Sequence, residues 1–252
     1  THSAALQHKQ PSNALSTTTA RLKMAECALP HQCPCCGACV ASWLPFGAAK
    51  RLAVCPQCST FERHRAVCLM LKKRPALVPA AALIAYFGPH PQHAKTLMTM
   101  LPSAQMLRFD FFAPLPFTGK ELPYDRSTVR ADIQSIPLQD AAVDATIVLH
   151  VLEHVPNITR AAREIGRTLA PGGIVLHETP CAARARGAVA SVDCTTPGAR
   201  ESDPVCQQRD HLWSHSCWHL KAQLEAAGLG SSGGGGTLDT RLKEMEEKII
   251  GE

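Results

Sequence analysis

The chain has 252 residues, with 26 Lys and Arg against 21 Asp and Glu and a formal net charge of +5. This length is sufficient to bury one substantial core and to carry a small additional module. No stretch approaches the roughly 18 uninterrupted apolar residues that a membrane-spanning helix needs, so we expect a soluble, intracellular protein, cytoplasmic or organellar, with no membrane partner.

The positive charge is concentrated at the front of the chain. Residues 1–74 contain ten basic side chains and two acidic ones, a net charge of +8, whereas the remaining residues carry a net charge of −3. A basic module ahead of a mildly acidic domain favours a polyanionic partner, either nucleic acid or an acidic protein surface. A solvated basic face without a partner fits the charge equally well.

The first 26 residues are rich in Ser, Thr and Ala and contain three Lys or Arg and one acid, Glu26. This composition fits a flexible tail or the remnant of an organelle transit peptide. Of the two, we favour the tail.

Four of the twelve cysteines form two Cys-Pro-x-Cys sequences, Cys33 to Cys36 and Cys55 to Cys58, separated by eighteen residues. Two residues between thiolates let one turn place both sulfurs on one ion, so the two turns predict a tetrahedral zinc site. Four thiolates leave no open coordination position, which makes this zinc structural. Cys39 also stands three residues after Cys36; we choose the pair Cys33 and Cys36 because it repeats the Cys-Pro-x-Cys pattern. Disulfide bonds or unmodified thiols are the alternative.

The other eight cysteines share no pattern, and we expect them to be ordinary small buried or surface residues. They are Cys27, Cys35, Cys39, Cys68, Cys181, Cys194, Cys206 and Cys217.

A helix is predicted directly after the second cysteine pair. Ser59 to Glu62 has the spacing of a capping box, and a helix from Arg63 to Lys73 places Val67, Met70 and Leu71 on one face. This helix completes a module over residues 27–74.

The first strands of an α/β domain are predicted over the next part of the chain. Ala82 to Phe87 and Met106 to Phe109 are apolar runs that predict two strands, and a third strand is expected to close at Asp132 and Ile133.

Two further apolar runs, Ala145 to Leu149 and Ile174 to His177, flank an amphipathic helix that ends in Pro-Gly-Gly. Strand, crossover helix and strand in this order are typical of a parallel sheet. Residues 75–229 are therefore predicted to form a doubly wound, mostly parallel Rossmann-like sheet.

Several motifs of this domain resemble, in the same order, those of class I S-adenosylmethionine-dependent methyltransferases of the type 11-like group. They are Asp132, Ile136-Pro137-Leu138, Asp140, Asp144, the run from His150 to Val155, Arg167-Thr168-Leu169 and Pro171-Gly172-Gly173.

The front of the chain is similar to one subgroup of that family, which carries an N-terminal CPxC…CPxC zinc ribbon. The similar strings are LPFG from Leu44 and CPQCSTFERHR from Cys55. The resemblance implies a methyltransferase domain behind a zinc ribbon, with S-adenosylmethionine as cofactor and a methyl acceptor that the sequence does not identify.

S-adenosylmethionine in such a fold needs a tight turn after the first strand, a carboxylate at the end of the second and a polar group after the third. Gly88, Asp110 and Asp132 occupy these positions, and we expect them to form one slot. Together with the residues that the resemblance adds, the cofactor-binding candidates are Phe87, Gly88, Asp110, Asp132, Ile133, Leu149 and His150.

Methyl transfer gains most from alignment and from the exclusion of water, so it does not require a catalytic residue. If a base acts, His150 and His154 are the candidates, because imidazole changes charge near neutral pH. A hydrogen-bonded role in stabilising the loop is the alternative for each. His150 to His154 also matches the H-x-x-E-H pattern of inverted zinc peptidases, but the pattern here begins at a strand end and meets Pro156, whereas the peptidases need a helix.

The end of the chain differs from the family. Residues 209–229 resemble a helix of the same subgroup, with Trp213 where an arginine is expected, but the family's last two strands do not follow. Instead, residues 230–236 predict a Gly/Ser linker and residues 237–252 a short amphipathic helix that docks on its own domain or on a partner protein. The region from Cys181 to Gln208 is expected to be a long loop over the pocket.

The main hypothesis is therefore a zinc-ribbon methyltransferase that uses S-adenosylmethionine. The turn at Gly88 lacks a Gly-x-Gly-x-Gly sequence, and His90 stands where the subgroup has a glutamate. These changes and the missing strands motivate an alternative, a catalytically inactive binding or assembly protein with the same fold. In a third hypothesis, the basic ribbon contacts nucleic acid.

Overall fold

The computed structural model describes residues 27–47, 50–113, 128–184, 189–207 and 209–230. The predicted N-terminal tail, the helix predicted over residues 237–252 and nearly all of the predicted linker lie outside these ranges. Within them, no helix has the length and apolar character needed to cross a bilayer.

Two short antiparallel hairpins form the first module. Strand β1 (His31–Gln32) pairs with β2 (Cys39–Val40), and β3 (Leu44–Phe46) pairs with β4 (Arg51–Val54). One Cys-Pro-x-Cys turn lies between β1 and β2, and the other follows β4. Helix α1 (Glu62–Lys73) comes next, one residue earlier than predicted.

The cap of α1 differs from the predicted capping box. Phe61 is the N-cap residue, and its backbone N–H donates to His64 Nδ1 at 3.1 Å. Ser59 lies outside the helix with a φ of 56°, because it belongs to the preceding cysteine turn. The predicted box between Ser59 and Glu62 is therefore wrong.

A five-stranded parallel sheet forms the centre of the molecule. Its strands are β5 (Leu83–Phe87), β6 (Gln105–Asp110), β7 (Thr128–Arg130), β8 (Val143–Leu149) and β9 (Leu169–Glu178). They lie in the order β7-β6-β5-β8-β9, and every neighbouring pair is parallel. The strand order runs outward in both directions from β5, which defines a doubly wound Rossmann-like sheet and confirms the predicted fold class.

Helices cover both faces of this sheet. Beside α1 they include α2 (Pro91–Met100) and α3 (Ile158–Thr168). Successive residues of β5 alternate between two cores, because Ile84 and Tyr86 join the core under α1 and α2, whereas Ala85 and Phe87 join the core under α3. Helix α1 is thus part of the same hydrophobic core as the sheet and holds the cysteine module against it.

Two element boundaries differ from the sequence prediction. Strand β7 ends at Arg130, and Asp132 makes only an isolated antiparallel bridge to Ser135, so the third strand closes earlier than predicted. Helix α3 ends at Thr168, and Pro171-Gly172-Gly173 lies inside β9 rather than at the helix end. The chain becomes extended at once because Leu169 already pairs with Val143 of β8.

A second, smaller sheet follows the parallel one. It contains β10 (Cys181–Ala182), β11 (Ser191–Asp193) and β12 (Trp213–Ser216), and short helix α4 (Ala199–Ser202) lies between β11 and β12. Helix α5 (Cys217–Ala226) then packs Leu220 into the α3 core.

The predicted long loop between Cys181 and Gln208 is therefore wrong in the described residues. The helix expected over residues 209–229 occupies only the second half, because residues 213–216 pair with β10 and β11. Within the described ranges no strand extends the parallel sheet beyond β9.

Six of the cysteines that we expected to be unremarkable are joined in disulfides, so that prediction is wrong for them. The pairs are Cys27 with Cys39, Cys181 with Cys217, and Cys194 with Cys206. The sequence separations within these pairs follow no motif. Strand pairing and the fold of the small sheet bring the paired cysteines together. The pairing of Cys39 also removes it as a zinc ligand.

Candidate metal centre and cofactor site

The four predicted zinc ligands lie together in the structure. The Sγ atoms of Cys33, Cys36, Cys55 and Cys58 all lie within 4.8 Å of one another. Cys33 Sγ is 3.7 Å from Cys58 Sγ, and Cys36 Sγ is 3.9 Å from Cys55 Sγ. Four thiolates bonded to one zinc ion at about 2.3 Å stand about 3.8 Å apart, so this group fits a tetrahedral zinc ion.

Both cysteine turns have the same backbone geometry. Gly37 N–H donates to Cys33 O at 2.8 Å, and Ser59 N–H donates to Cys55 O at 2.9 Å. The residue after each turn has a positive φ, 76° at Gly37 and 56° at Ser59. Burial raises the pKa of the Cys55 thiol to about 11, so binding a metal there must displace a proton.

Arg65 connects the zinc module to helix α1. Its side chain is completely buried, and its Nη1 donates to Ala53 O at 2.8 Å and to Thr60 O at 2.9 Å. The guanidinium lies 3.9 Å from the centre of the Trp43 ring, a cation–π contact. Burial lowers the pKa of Arg65, and the nearby cysteines oppose that change. The guanidinium is thus a positive charge beside the thiols. The sequence contains Arg65 in its ERHR string, but nothing in the string indicated burial.

The structure removes part of the basic surface that the charge count predicted. Arg65 is inside the module and Arg63 lies 4.3 Å from the centre of the Phe61 ring, while Arg51 stays exposed but is paired with buried Glu62. The exposed basic residues of the described module are Lys50, Arg51, Lys72, Lys73 and Arg74.

A histidine cluster lies between α1 and α2. The His64 ring stacks on His93 with centroids 4.8 Å apart and lies 4.7 Å from His90. Tyr86 and His93 share a hydrogen bond of 2.8 Å between Oη and Nδ1. Burial lowers the pKa of His93 to about 3 and that of His64 well below its ordinary value, so both rings are neutral. His90, which replaces the expected glutamate, thus belongs to a packing cluster and also accepts from His93 N–H at the start of α2.

The three predicted corners of the cofactor slot lie at the carboxyl edge of the parallel sheet. Gly88 follows β5 with a φ of 60°, and a Cβ at this position would be 3.0 Å from Val151 Cγ2. Asp110 ends β6, and its Oδ1 accepts from Phe112 N–H at 2.7 Å. Asp132 lies beyond β7 and accepts from Gln134 N–H at 2.8 Å.

The remaining cofactor candidates are mostly buried. Phe87 stacks on Phe109 with ring centroids 5.1 Å apart, and Ile133 and Leu149 are core residues, 4 % exposed each. These three residues offer little exposed surface to a ligand. His150 follows β8 with a strained φ of 54°, and its N–H donates to Glu178 O at 2.8 Å.

His150 lies between two carboxyl groups. Its Nδ1 is 3.3 Å from Glu153 Oε1, and its Nε2 is 3.2 Å from Glu178 Oε1. Burial lowers the pKa of His150 to about 3 and raises that of Glu153 to about 8, so a neutral imidazole faces a protonated carboxyl group near neutral pH.

His154 is oriented by the chain around β12. Its Nδ1 donates to Asp210 O at 2.8 Å, which leaves Nε2 facing Glu153 Oε1 at 3.8 Å. Residues 152–154 form a single 3₁₀ turn, so the match to the peptidase pattern lacks the helix that it requires.

A surface cleft of about 520 Å³ lies along α2. Its lining includes Pro91, Lys95, Met98 and Arg108, and none of the predicted cofactor residues borders it.

Parts of this chain are similar to known proteins. A family model described as "Methyltransferase domain" matches residues 93–177, which run from α2 to β9. The YcgJ protein from Bacillus subtilis is similar over 65% of this chain and 68% of its own, at 17% identity and a TM-score of 0.45. An S-adenosylmethionine dependent methyltransferase from Mesorhizobium loti is similar over 65% of this chain and 80% of its own, at 16% identity and a TM-score of 0.42. The [4+2]-cyclase SpnF is similar over 76% of this chain and 65% of its own, at 17% identity and a TM-score of 0.42. The five-stranded sheet is Rossmann-like by its own strand order, and these distant likenesses indicate neither an activity nor a substrate.

Proposed function

We propose that this protein binds S-adenosylmethionine at the carboxyl edge of its parallel sheet and transfers the methyl group to an acceptor. The observation that carries the proposal is the strand order. The chain adds β6 and β7 on one side of β5 and then crosses to add β8 and β9 on the other side, so the order switches between β5 and β8. Doubly wound sheets bind ligands in the crevice at this switch, outside the carboxyl ends of the strands. The match of residues 93–177 to a methyltransferase domain supports the same assignment.

The residues at this edge fit the cofactor to different degrees. Gly88 has the positive φ of a tight turn, and a Cβ at this position would crowd the Val151 side chain, so the turn requires glycine. Asp110 is oriented by its bond with Phe112 and would bind the ribose hydroxyls. Asp132 would serve less well, because Gln134 Nε2 lies 3.2 Å from each of its carboxylate oxygens.

S-adenosylmethionine supplies an activated methyl group, so the protein has to align the acceptor and exclude water. Burial lowers the pKa of His150 to about 3, and both of its ring nitrogens face carboxyl groups, so its role would be to stabilise the loop after β8 rather than to take a proton from the acceptor. Its backbone bond to Glu178 and the two carboxyl groups beside its ring hold that imidazole at the strand end.

Calorimetric titration with S-adenosylmethionine tests the proposal. We expect one site, and we expect Asp110→Ala to weaken it about tenfold or more by removing hydrogen bonds to a carboxylate. Gly172→Ala is the control, because Gly172 also has a positive φ but lies within β9 away from this edge. The variant should lose stability and keep its affinity.

An assay with a labelled methyl donor against small molecules, RNA and protein then identifies the acceptor. Absence of cofactor binding at millimolar concentration would contradict the proposal and leave the alternative of a binding or assembly protein. Cofactor binding without turnover on any acceptor would favour a binding protein that retains the cofactor.

We further propose that Cys33, Cys36, Cys55 and Cys58 hold a structural zinc ion. Their separations and the two equivalent turns support it. The ion would stabilise the module that α1 joins to the sheet, without taking part in methyl transfer.

A further inference from the structure

A second group of metal-ligating side chains lies beside His150, outside the cysteine module. It consists of Glu153, His154 and His211, whose ligand atoms lie within 4.8 Å of one another. His211 Nε2 is 3.7 Å and His154 Nε2 is 3.8 Å from Glu153 Oε1. The three residues come from two segments that are joined by a backbone bond of 3.0 Å from Leu212 N–H to Glu153 O.

Glu153 has no exposed surface, and within the described ranges neither of its carboxyl oxygens has a hydrogen-bond partner. A carboxyl group in the interior without a hydrogen bond costs several kcal/mol unless it is protonated or compensated. The Nε2 atom of His211, a residue only 3 % exposed, also lacks a partner among the described residues. Two buried polar groups are therefore aimed at each other without a hydrogen bond between them.

Backbone carbonyls fix the tautomers of both histidines. His211 Nδ1 donates to Val205 O at 2.6 Å, and His154 Nδ1 donates to Asp210 O at 2.8 Å. Each ring therefore presents the lone pair of Nε2 to Glu153. Metal-binding histidines typically have this arrangement, in which the second ring nitrogen donates to a carbonyl or carboxylate.

We propose that Glu153, His154 and His211 bind a divalent first-row transition-metal ion, with at least one coordination position left open. Two imidazoles and a carboxylate are the donor set of catalytic zinc and of non-haem iron sites. Ligands at about 2.1 Å from a zinc ion stand about 3.4 Å apart at the tetrahedral angle, so the two separations from Glu153 Oε1 need to close by a few tenths of an ångström. The two histidine nitrogens lie within 4.8 Å of each other.

The site lies beside the proposed cofactor edge. Glu153 Oε1 is 3.3 Å from His150 Nδ1, and the side chain of Val151 lies against Gly88, where a Cβ would be 3.0 Å from Val151 Cγ2. An open position on the ion would take an oxygen atom of the methyl acceptor. That role rests on the proposed function, whereas metal binding itself is measured without a methyl donor.

The test is the zinc content of the full chain after chelator treatment and reloading. We expect two zinc ions per chain, one in the cysteine module and one here. His211→Ala and Glu153→Gln should each reduce the content to one ion. His219→Ala is the matched control, a histidine of α5 outside the group, and should retain two.

Calorimetry with Zn²⁺ added to protein whose cysteine module is already loaded gives a second measurement. We expect the wild type to bind one further equivalent of zinc, and we expect His154→Ala to lose at least tenfold in affinity for it. Thermal unfolding keeps the test decisive if a variant is poorly folded, because zinc should raise the melting temperature of the wild type more than that of Glu153→Gln. One ion per chain in the wild type, or unchanged binding in all three variants, would overturn the proposal.

Discussion

Single residues in this protein are constrained by burial more than by their sequence neighbours. His93 has no exposed surface and shares a hydrogen bond with Tyr86, although a histidine in an amphipathic helix is ordinarily assigned to the solvent side. Such a residue couples stability to pH, because the folded state cannot accept the proton that the unfolded state binds.

We predict that His93→Gln makes the protein less sensitive to acid. The pKa of His93 is lowered by burial from 6.5 to about 3, so the unfolded state binds one more proton as the pH falls below 6.5, and stability is lost over that range. One such proton changes the free energy of unfolding by about 1.4 kcal/mol per pH unit. Glutamine retains an acceptor for Tyr86 and removes this contribution. Denaturant unfolding of both proteins between about pH 6 and pH 5 measures the difference, and parallel curves would contradict the prediction.

At the scale of elements, helix α1 joins two parts of the molecule. Its Val67, Met70 and Leu71 pack in the core of the sheet, as their spacing predicted, while Arg65 on another face reaches into the cysteine module. The position of the module therefore depends on a helix that also belongs to the α/β core.

We predict that Arg65→Met weakens both the module and its zinc affinity. The change leaves the carbonyls of Ala53 and Thr60 without this donor and removes the positive charge beside the thiols. We expect a loss of about 2–4 kcal/mol in stability and about 10- to 100-fold in zinc affinity. Chelator competition measures the affinity. Lys72→Met, an exposed change on the same helix, is the control and should alter neither value.

At the scale of the whole molecule, the part after β9 is held by covalent links as well as by packing. The disulfide between Cys181 and Cys217 joins β10 to the first residue of α5, and Leu220 of that helix enters the α3 core.

We predict that Cys217→Ser destabilises the oxidised protein. The disulfide closes a chain separation of 36 residues, for which loop entropy gives about 4 kcal/mol. Unfolding in the absence and presence of a thiol reductant measures the effect, because reduction should cost the wild type more than the variant. An equal effect of reductant on both proteins would contradict the prediction.

The sequence by itself determined the elements whose signal is local. Apolar runs bounded by turns located four strands of the parallel sheet to within a few residues, and the Cys-Pro-x-Cys spacing selected four cysteines that the structure brings together. Periodicity and turn chemistry act over a few residues, so a sequence can report them directly.

The tertiary structure alone decided the contacts between distant segments. It paired six cysteines, converted half of a predicted helix into β12, buried Arg65 and His93, and brought His211 to Glu153 across 58 positions of the chain. These outcomes depend on which surfaces meet when the sheet and helices pack. Burial and the pKa shifts that follow from it are properties of that packing, so no local pattern contains them.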